Sequence, residues 1–168
     1  MDELNKKIVI VLLIICFFII ILLASIRPGT AGSHKFGNFV AVCPGHKIVY
    51  RELPQNSPGM YAPGVIILDP HVLRQEKLVV QKFVFFHECG HGFVGESEHA
   101  ADCFAAKHGI RNGWLKETDI EAICLSFVGP ATFTHPSGKS RCGNIYRCVS
   151  AAKKEIASGK TPDNNISK

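Results

Sequence analysis

The sequence predicts an α+β domain behind one N-terminal transmembrane helix, with a small β-sheet leading into a helical core. Three observations carry this. Residues 8–26 form an uncharged, almost wholly apolar run. Short β-branched segments punctuated by Gly and Pro fill the chain up to Pro70. Beyond it, apolar residues recur at helical spacing around His87-Glu88-Cys89-Gly90-His91.

The apolar run, at 1.5 Å per residue, approaches the ~30 Å thickness of a bilayer core. Lys6 and Lys7 precede it and Arg27 follows. That arrangement leaves the amino end in the cytoplasm and delivers the rest outside. Residues 1–26 therefore read as a membrane anchor; the rival reading is a signal peptide, whose apolar core of ~7–15 residues is shorter than this one. If it is cleaved, the domain is secreted. Residues 27–36 read as a polar linker, 37–157 as the folded domain and 158–168 as a disordered polar tail.

The net charge is +5, with 19 Lys and Arg against 14 Asp and Glu. Much of the excess lies near the two ends, and no basic stripe is interleaved with aromatics, so no nucleic-acid partner is expected. Of seven cysteines, Cys16 lies within the apolar run. Six remain in the exported part, an even number that predicts disulfides in an oxidising compartment outside the cytoplasm.

Phe39–Cys43 and Lys47–Glu52 have strand character around Pro44-Gly45, residues 53–59 read as loop, and Val65–Leu68 reads as a buried strand ended by Asp69-Pro70. A helix is expected from Glu76 to His91, a second from Glu98 to about Lys107 capped by Ser97, and a third from Asp119 to Phe127 capped by Thr118 with Glu121 reciprocating. A fourth should run from about Ser140 to Ala157.

His87 to His91 spells H-E-x-x-H. Positions i and i+4 of a helix share one face, so both imidazoles can reach one Zn²⁺. Glu88 then lies where a carboxylate can exchange a proton with the attacking water. A catalytic zinc takes three protein ligands and leaves one position open. Glu98 is the leading candidate for the third, with His99, Glu96 and Asp102 as rivals. The longer pattern H-E-x-x-H-x-x-G-x-x-H fails, since Val94 and Ser97 stand at its Gly and His positions. Asp102, one turn beyond Glu98, can accept the second ring N–H of a ligand histidine. Cys89, two residues from each histidine, points away from the metal. A Cys89–Cys103 bridge would staple the two ligand helices, with Cys124–Cys148 and Cys43–Cys142 completing one of 15 possible pairings.

HECGH, then Glu98-His99-Ala100-Ala101-Asp102, then Thr134-His135-Pro136 with Arg141, resembles the gluzincin metallopeptidases of the HtpX and CAAX-prenyl-protease type. The Ala101–Ala106 stretch is also similar to the ImmA/IrrE metallopeptidases. The resemblance spans about Phe83 to Cys148 and implies a minimal gluzincin. It implies zinc bound by His87, His91 and Glu98, Glu88 as general base, and His135 and Arg141 at the catalytic site, His135 facing charge developed in the reaction. It also implies a polypeptide substrate paired to the edge of the Val65–Leu68 strand or one beside it. The family's multiple membrane spans and long insertion before E-x-x-A-D are absent here, so the substrate is not expected to be cut within the bilayer. Two other readings carry the same residues: a zinc-stabilised binding module that cuts nothing, and a disulfide-stapled envelope domain without metal.

Overall fold

Strand β1 (Gly32–Phe36) turns back into β2 (Phe39–Cys43) as an antiparallel hairpin. The computed structural model describes residues 32–127, 130–131 and 135–159. A second sheet, of three strands, is built from β3 (Lys47–Tyr50), β4 (Gly59–Ala62) and β5 (Val65–Leu68) in the order β3-β5-β4. β5 runs parallel to β3 and antiparallel to β4. Gly32 N–H donates to the His46 carbonyl at 2.7 Å, linking the hairpin to the start of β3.

β5 occupies the centre because every one of its last three residues is buried, as a strand covered on both faces requires. Of the two expected edges, Val65–Leu68 or a strand beside it, the first is ruled out: β3 and β4, on either side of β5, are the edges of this sheet. Two strands differ from the sequence reading. β1 lies in the stretch read as linker, and β4 begins where the loop of residues 53–59 was expected to end. Both are short, and β1 carries only one large apolar residue, so neither shows a periodic signal.

Asp69 ends β5. Its carboxylate accepts from the backbone N–H groups of His71 (2.9 Å) and Val72 (3.2 Å), capping the single-turn helix α1 (Pro70–Leu73), and from Leu53 N–H at 2.9 Å. Helix α2 (Leu78–Val94) follows and is the axis of the domain. From Phe83 to Gly90 every residue is buried, because the β-layer covers one side of the helix and the later helices the other. A helix apolar around its whole circumference belongs in such a position. The burial brings His87 and Glu88 inside with the phenylalanines.

Helix α3 (Glu98–Arg111) opens on Ser97, whose Oγ accepts from Ala100 N–H at 3.3 Å. It packs closely on α2 where Gly90 meets Ala101. A Cβ on Gly90 would lie 3.2 Å from the Ala101 Cα and 3.1 Å from the Phe104 ring. The glycine of HECGH is thus the contact that lets the two backbones approach. Helix α4 (Ile120–Ser126) begins after a 3-10 turn at Glu117–Asp119. Asp119, not Thr118, makes the local closure, its carboxylate accepting from Lys116 N–H at 2.9 Å. Helix α5 (Gly138–Ala157) closes the bundle, with Ser137 Oγ accepting from Ser140 N–H.

Three disulfides tie these layers: Cys43–Cys89, Cys103–Cys148 and Cys124–Cys142. They replace all three expected pairings. Cys89 does leave the back of α2, but that back faces β2. The α2–α3 interface is filled by Gly90 and Ala101, so Cys103 turns outward to α5 and cannot meet Cys89. Cys124 then meets Cys142 near the start of α5, which takes from Cys43 its expected partner and leaves it to Cys89. Among the described residues no helix is long and apolar enough to cross a membrane. The expected span at residues 8–26, with Cys16, lies outside them, as do residues 160–168 of the expected tail.

Behind the α2–α3 contact, His108 stacks on Phe86 at a centroid distance of 3.9 Å, and its Nδ1 accepts from Trp114 Nε1–H at 3.1 Å. Burial, helped by the charge of Arg111, lowers its pKa to about 4. The unfolded chain binds this proton near pH 6.5 and the folded one only near 4. Stability should therefore be complete above pH 6.5 and decline as pH falls toward 4, by about 3 kcal/mol. Urea unfolding at pH 7 and pH 4.5 should show this difference, and a His108→Gln variant should lose that part of the pH dependence.

Candidate metal centre

The α2–α3 packing sets His87 and His91, one turn apart on α2, against Glu98 at the start of α3. His87 Nε2 and His91 Nε2 are 3.1 Å apart. Glu98 Oε2 lies 3.4 Å from the first and Glu98 Oε1 3.5 Å from the second. A tetrahedral zinc with ligand bonds of ~2.0–2.1 Å separates its ligand atoms by about 3.3–3.4 Å, close to all three spacings.

Both rings are held by their other nitrogen. His87 Nδ1–H donates to Asp102 Oδ1 at 2.9 Å, and His91 Nδ1–H donates to the Gly95 carbonyl at 2.9 Å. With both rings neutral, these partners keep the proton on Nδ1 and leave both Nε2 atoms facing one point. Glu98 Oε2 is buried and makes no hydrogen bond among the described residues. The Arg141 guanidinium, 3.5 Å away, offsets its charge without a hydrogen bond, which leaves this oxygen able to take a further cation. The two histidines and Glu98 could thus hold a metal ion. Glu88 also brings an oxygen within 4.8 Å of the two histidine nitrogens. Both acids therefore come within reach of an ion held by the two rings, Glu98 through an oxygen near each ring and Glu88 from the motif helix itself.

Arg141, from α5, completes the cluster. Its Nε donates to Asp102 Oδ2 at 2.9 Å and its Nη2 to Asp102 Oδ1 at 2.6 Å, while Nη1 lies 3.5 Å from Glu98 Oε2. Asp102 is fully buried and Arg141 nearly so. The guanidinium also lies 3.9 Å over the Phe127 ring. This geometry gives Arg141 a positioning role, orienting Asp102 and Glu98. His135, on the segment before α5, brings its Nε2 to 3.6 Å from Glu98 Oε1 and is more than half exposed.

The electrostatics follow. Burial alone would raise Glu98, but the rings of His87 and His91 and the charge of Arg141 hold it well below the usual carboxylate range. Asp102 is likewise lowered against its burial, by its bonds to Arg141 and His87. Glu88 moves the other way: burial raises its pKa, only partly opposed by the two histidines. A raised carboxyl pKa beside a metal site is what proton transfer near neutral pH uses. Burial of His87 would lower it, yet Asp102 and Glu98 raise it to about 9 without metal.

The structure brings His87, Glu88, His91, Glu98, Asp102, His135 and Arg141 to one place, on α2, α3, α5 and the segment leading into α5. Of the rival ligands, Asp102 is in the cluster but turned to His87 Nδ1 and Arg141, and the other two are elsewhere. His99 Nε2 is 3.0 Å from Ser140 Oγ, and Glu96 is exposed on the connecting loop. Cys89 is in a disulfide behind the helix. Thr134, of the Thr-His-Pro motif, lies outside the described residues. Two contributors carry no sequence signal: the Gly95 carbonyl that holds His91, and Gly59. A Cβ on Gly59 would lie 3.0 Å from Glu88 Cγ and 2.9 Å from Val84 Cγ1, so β4 can start against Glu88 only with glycine there. Between β4, α2 and Phe127 opens a cavity of about 230 Å³ that reaches His87, Glu88, His135 and Arg141.

No family model matches the chain, nor does any curated protein or solved structure.

Asp102→Asn should keep the fold's packing volume but lose the charge that orients His87, weakening zinc binding by about 10–100-fold in a chelator competition titration. Because zinc must displace the proton that His87 holds up to about pH 9, apparent affinity should rise about tenfold between pH 7 and pH 8 in the same titration.

Proposed function

We propose that this chain is a zinc-dependent peptide hydrolase of gluzincin type, anchored through residues 8–26 with its domain outside the cytoplasm. The observation that carries the reading is the donor triangle: two histidine Nε2 atoms and the Glu98 carboxylate at 3.1, 3.4 and 3.5 Å. His87, His91 and Glu98 would hold the ion, and zinc when bound supplies Lewis acidity toward water and a carbonyl oxygen. Glu88, neighbouring the ligands and raised by burial, takes the proton of the attacking water and passes it to the departing amine. His135, exposed at the mouth, faces negative charge developing on the carbonyl oxygen. Arg141 keeps Asp102 and Glu98 in place through the whole cycle.

Peptide as substrate is supported by the setting. β4 is an edge of its sheet and starts beside Glu88, so an extended chain can add to it by backbone hydrogen bonds as it passes the site. The cavity beside Glu88 has room for one side chain; an apolar cavity of about 150 Å³ already takes a benzene.

A non-catalytic zinc module is the second reading, and the three disulfides are compatible with it. They also weigh against it. They already tie α2 to β2, and α5 to both α3 and α4, so a metal needed only for cohesion would duplicate them. The same disulfides support an oxidising compartment.

Glu88→Gln in the zinc-loaded protein should lower turnover of an unfolded peptide substrate by about 10²–10⁴-fold with zinc content unchanged, read by peptide cleavage and metal analysis on one sample. Unchanged turnover would remove Glu88 from the mechanism.

A further inference from the structure

The cavity that reaches Glu88 runs along one face of α2. Val80, Val84 and Glu88 stand one turn apart on that face, and Phe83 adjoins them. From Val80 to Glu88 the helix rises about 12 Å. Glu76, four residues before Val80 and just ahead of the helix, lines the cavity beyond it. The cavity is thus walled by valine and phenylalanine, with a carboxylate toward each end.

The two carboxylates differ. Glu88 is buried beside the metal ligands. Glu76 is half-buried, and the local fold uses only its backbone. Its carbonyl accepts from Gln81 Nε2–H at 2.8 Å, and its N–H donates to the Leu73 carbonyl at 3.2 Å. Its carboxylate makes no hydrogen bond or ion pair among the described residues. A negative charge there suits the N-terminus of α2 whichever way it points, and this one borders the cavity.

The uncharged side chains agree with it. Ser57 Oγ–H donates to the Gly59 carbonyl and Ser126 Oγ–H to the Ile123 carbonyl, each at 2.7 Å. With their hydrogens engaged, both hydroxyls offer a ligand only lone pairs. Asn56, which is exposed, can act either way. The basic groups at the metal end, Arg141 and His135, both face Glu98. What complements such a cavity is an aliphatic stem ending in a positively charged donor. Lysine and arginine fit: each carries several N–H donors, no acceptor, and a methylene stem that packs on apolar surface.

We propose that the cavity is a specificity pocket for a lysine or arginine side chain of the substrate, flanking the cleaved bond, and that Glu76 selects it. The substrate class is then a polypeptide with basic residues. The inference rests on the reading of the metal centre as a peptidase site and deepens it.

The test uses the full-length, zinc-loaded protein and unfolded ten-residue peptides that differ at one position, which carries lysine, norleucine or glutamate. Norleucine keeps the lysine stem and lacks the ammonium. Cleavage beside the varied residue should show a kcat/KM about 10–100-fold higher for lysine than for norleucine, the discrimination one charge-assisted hydrogen bond supplies. Glu76→Gln should bring the lysine peptide down to the norleucine level and leave norleucine unchanged, a split that a merely structural Glu76 does not produce. Glu76→Lys should turn the preference toward glutamate. In the Glu88→Gln background, fluorescence anisotropy of the labelled peptides should show the same lysine preference in Kd, and its loss on adding Glu76→Gln. Equal handling of lysine and norleucine by the parent, or an equal effect of Glu76→Gln on both, would overturn the pocket. If the parent cleaves none of the peptides, the hydrolase reading fails by itself, and the anisotropy still decides whether the cavity selects a basic side chain.

Discussion

The buried Asp102–Arg141 pair is the constraint on which the rest of the domain turns. Asp102 is wholly inside, 2.6 and 2.9 Å from two guanidinium nitrogens and 2.9 Å from His87. Leaving such a carboxylate without its partner costs roughly 3–5 kcal/mol, far more than an exposed pair contributes. The pair can form only if α5 crosses α3 at that level and α3 lies tight on α2. Gly90 permits the second condition, and the Cys103–Cys148 disulfide fixes the first. The same pair therefore locates three helices and aims one metal-binding ring.

Such an arrangement is poor value as stabilisation alone, because two apolar residues of similar volume would serve a core as well or better. Its worth lies in orientation. Asp102 sets the His87 tautomer, Arg141 stands 3.5 Å from Glu98, and the Gly95 carbonyl sets His91. Each group that could touch a metal is thus held by another that could not. Glu88 is the exception among the buried ionisable groups: its burial raises the carboxyl pKa, as a group that must exchange a proton requires.

The disulfides divide the mechanical work. One ties the back of the motif helix to β2, one ties α3 to α5, and one fixes α4 against α5 beside Phe127. Cys89, Cys103 and Cys142 each stand next in sequence to a residue of the metal cluster: Glu88, Asp102 and Arg141. An oxidising compartment would therefore stiffen every helix that carries the site. This explains how a loop of three residues between α2 and α3 can hold Glu98 against two histidines.

By itself, the sequence determined the four main helical segments, the H-E-x-x-H face, and the Glu98 and Asp102 positions one turn apart. These are local properties, set by helical periodicity and by caps such as Ser97. It also carried, outside the apolar run, an even set of six of its seven cysteines, all of which the structure pairs. Only the tertiary structure decided which cysteines meet, because pairing depends on which face of each helix its neighbour covers: Gly90 and Ala101 fill the interface where Cys89 and Cys103 were expected to join. It likewise decided that β5 is central and β4 an edge, since strand order is a long-range choice and β4 is too short and too plain to announce itself. The Gly95 carbonyl, the close fit of Gly59 on Glu88 and the cavity between Glu88 and Glu76 belong to the same class. Each is made by backbone or surface brought together from distant parts of the chain, and no spacing of residue types records that meeting.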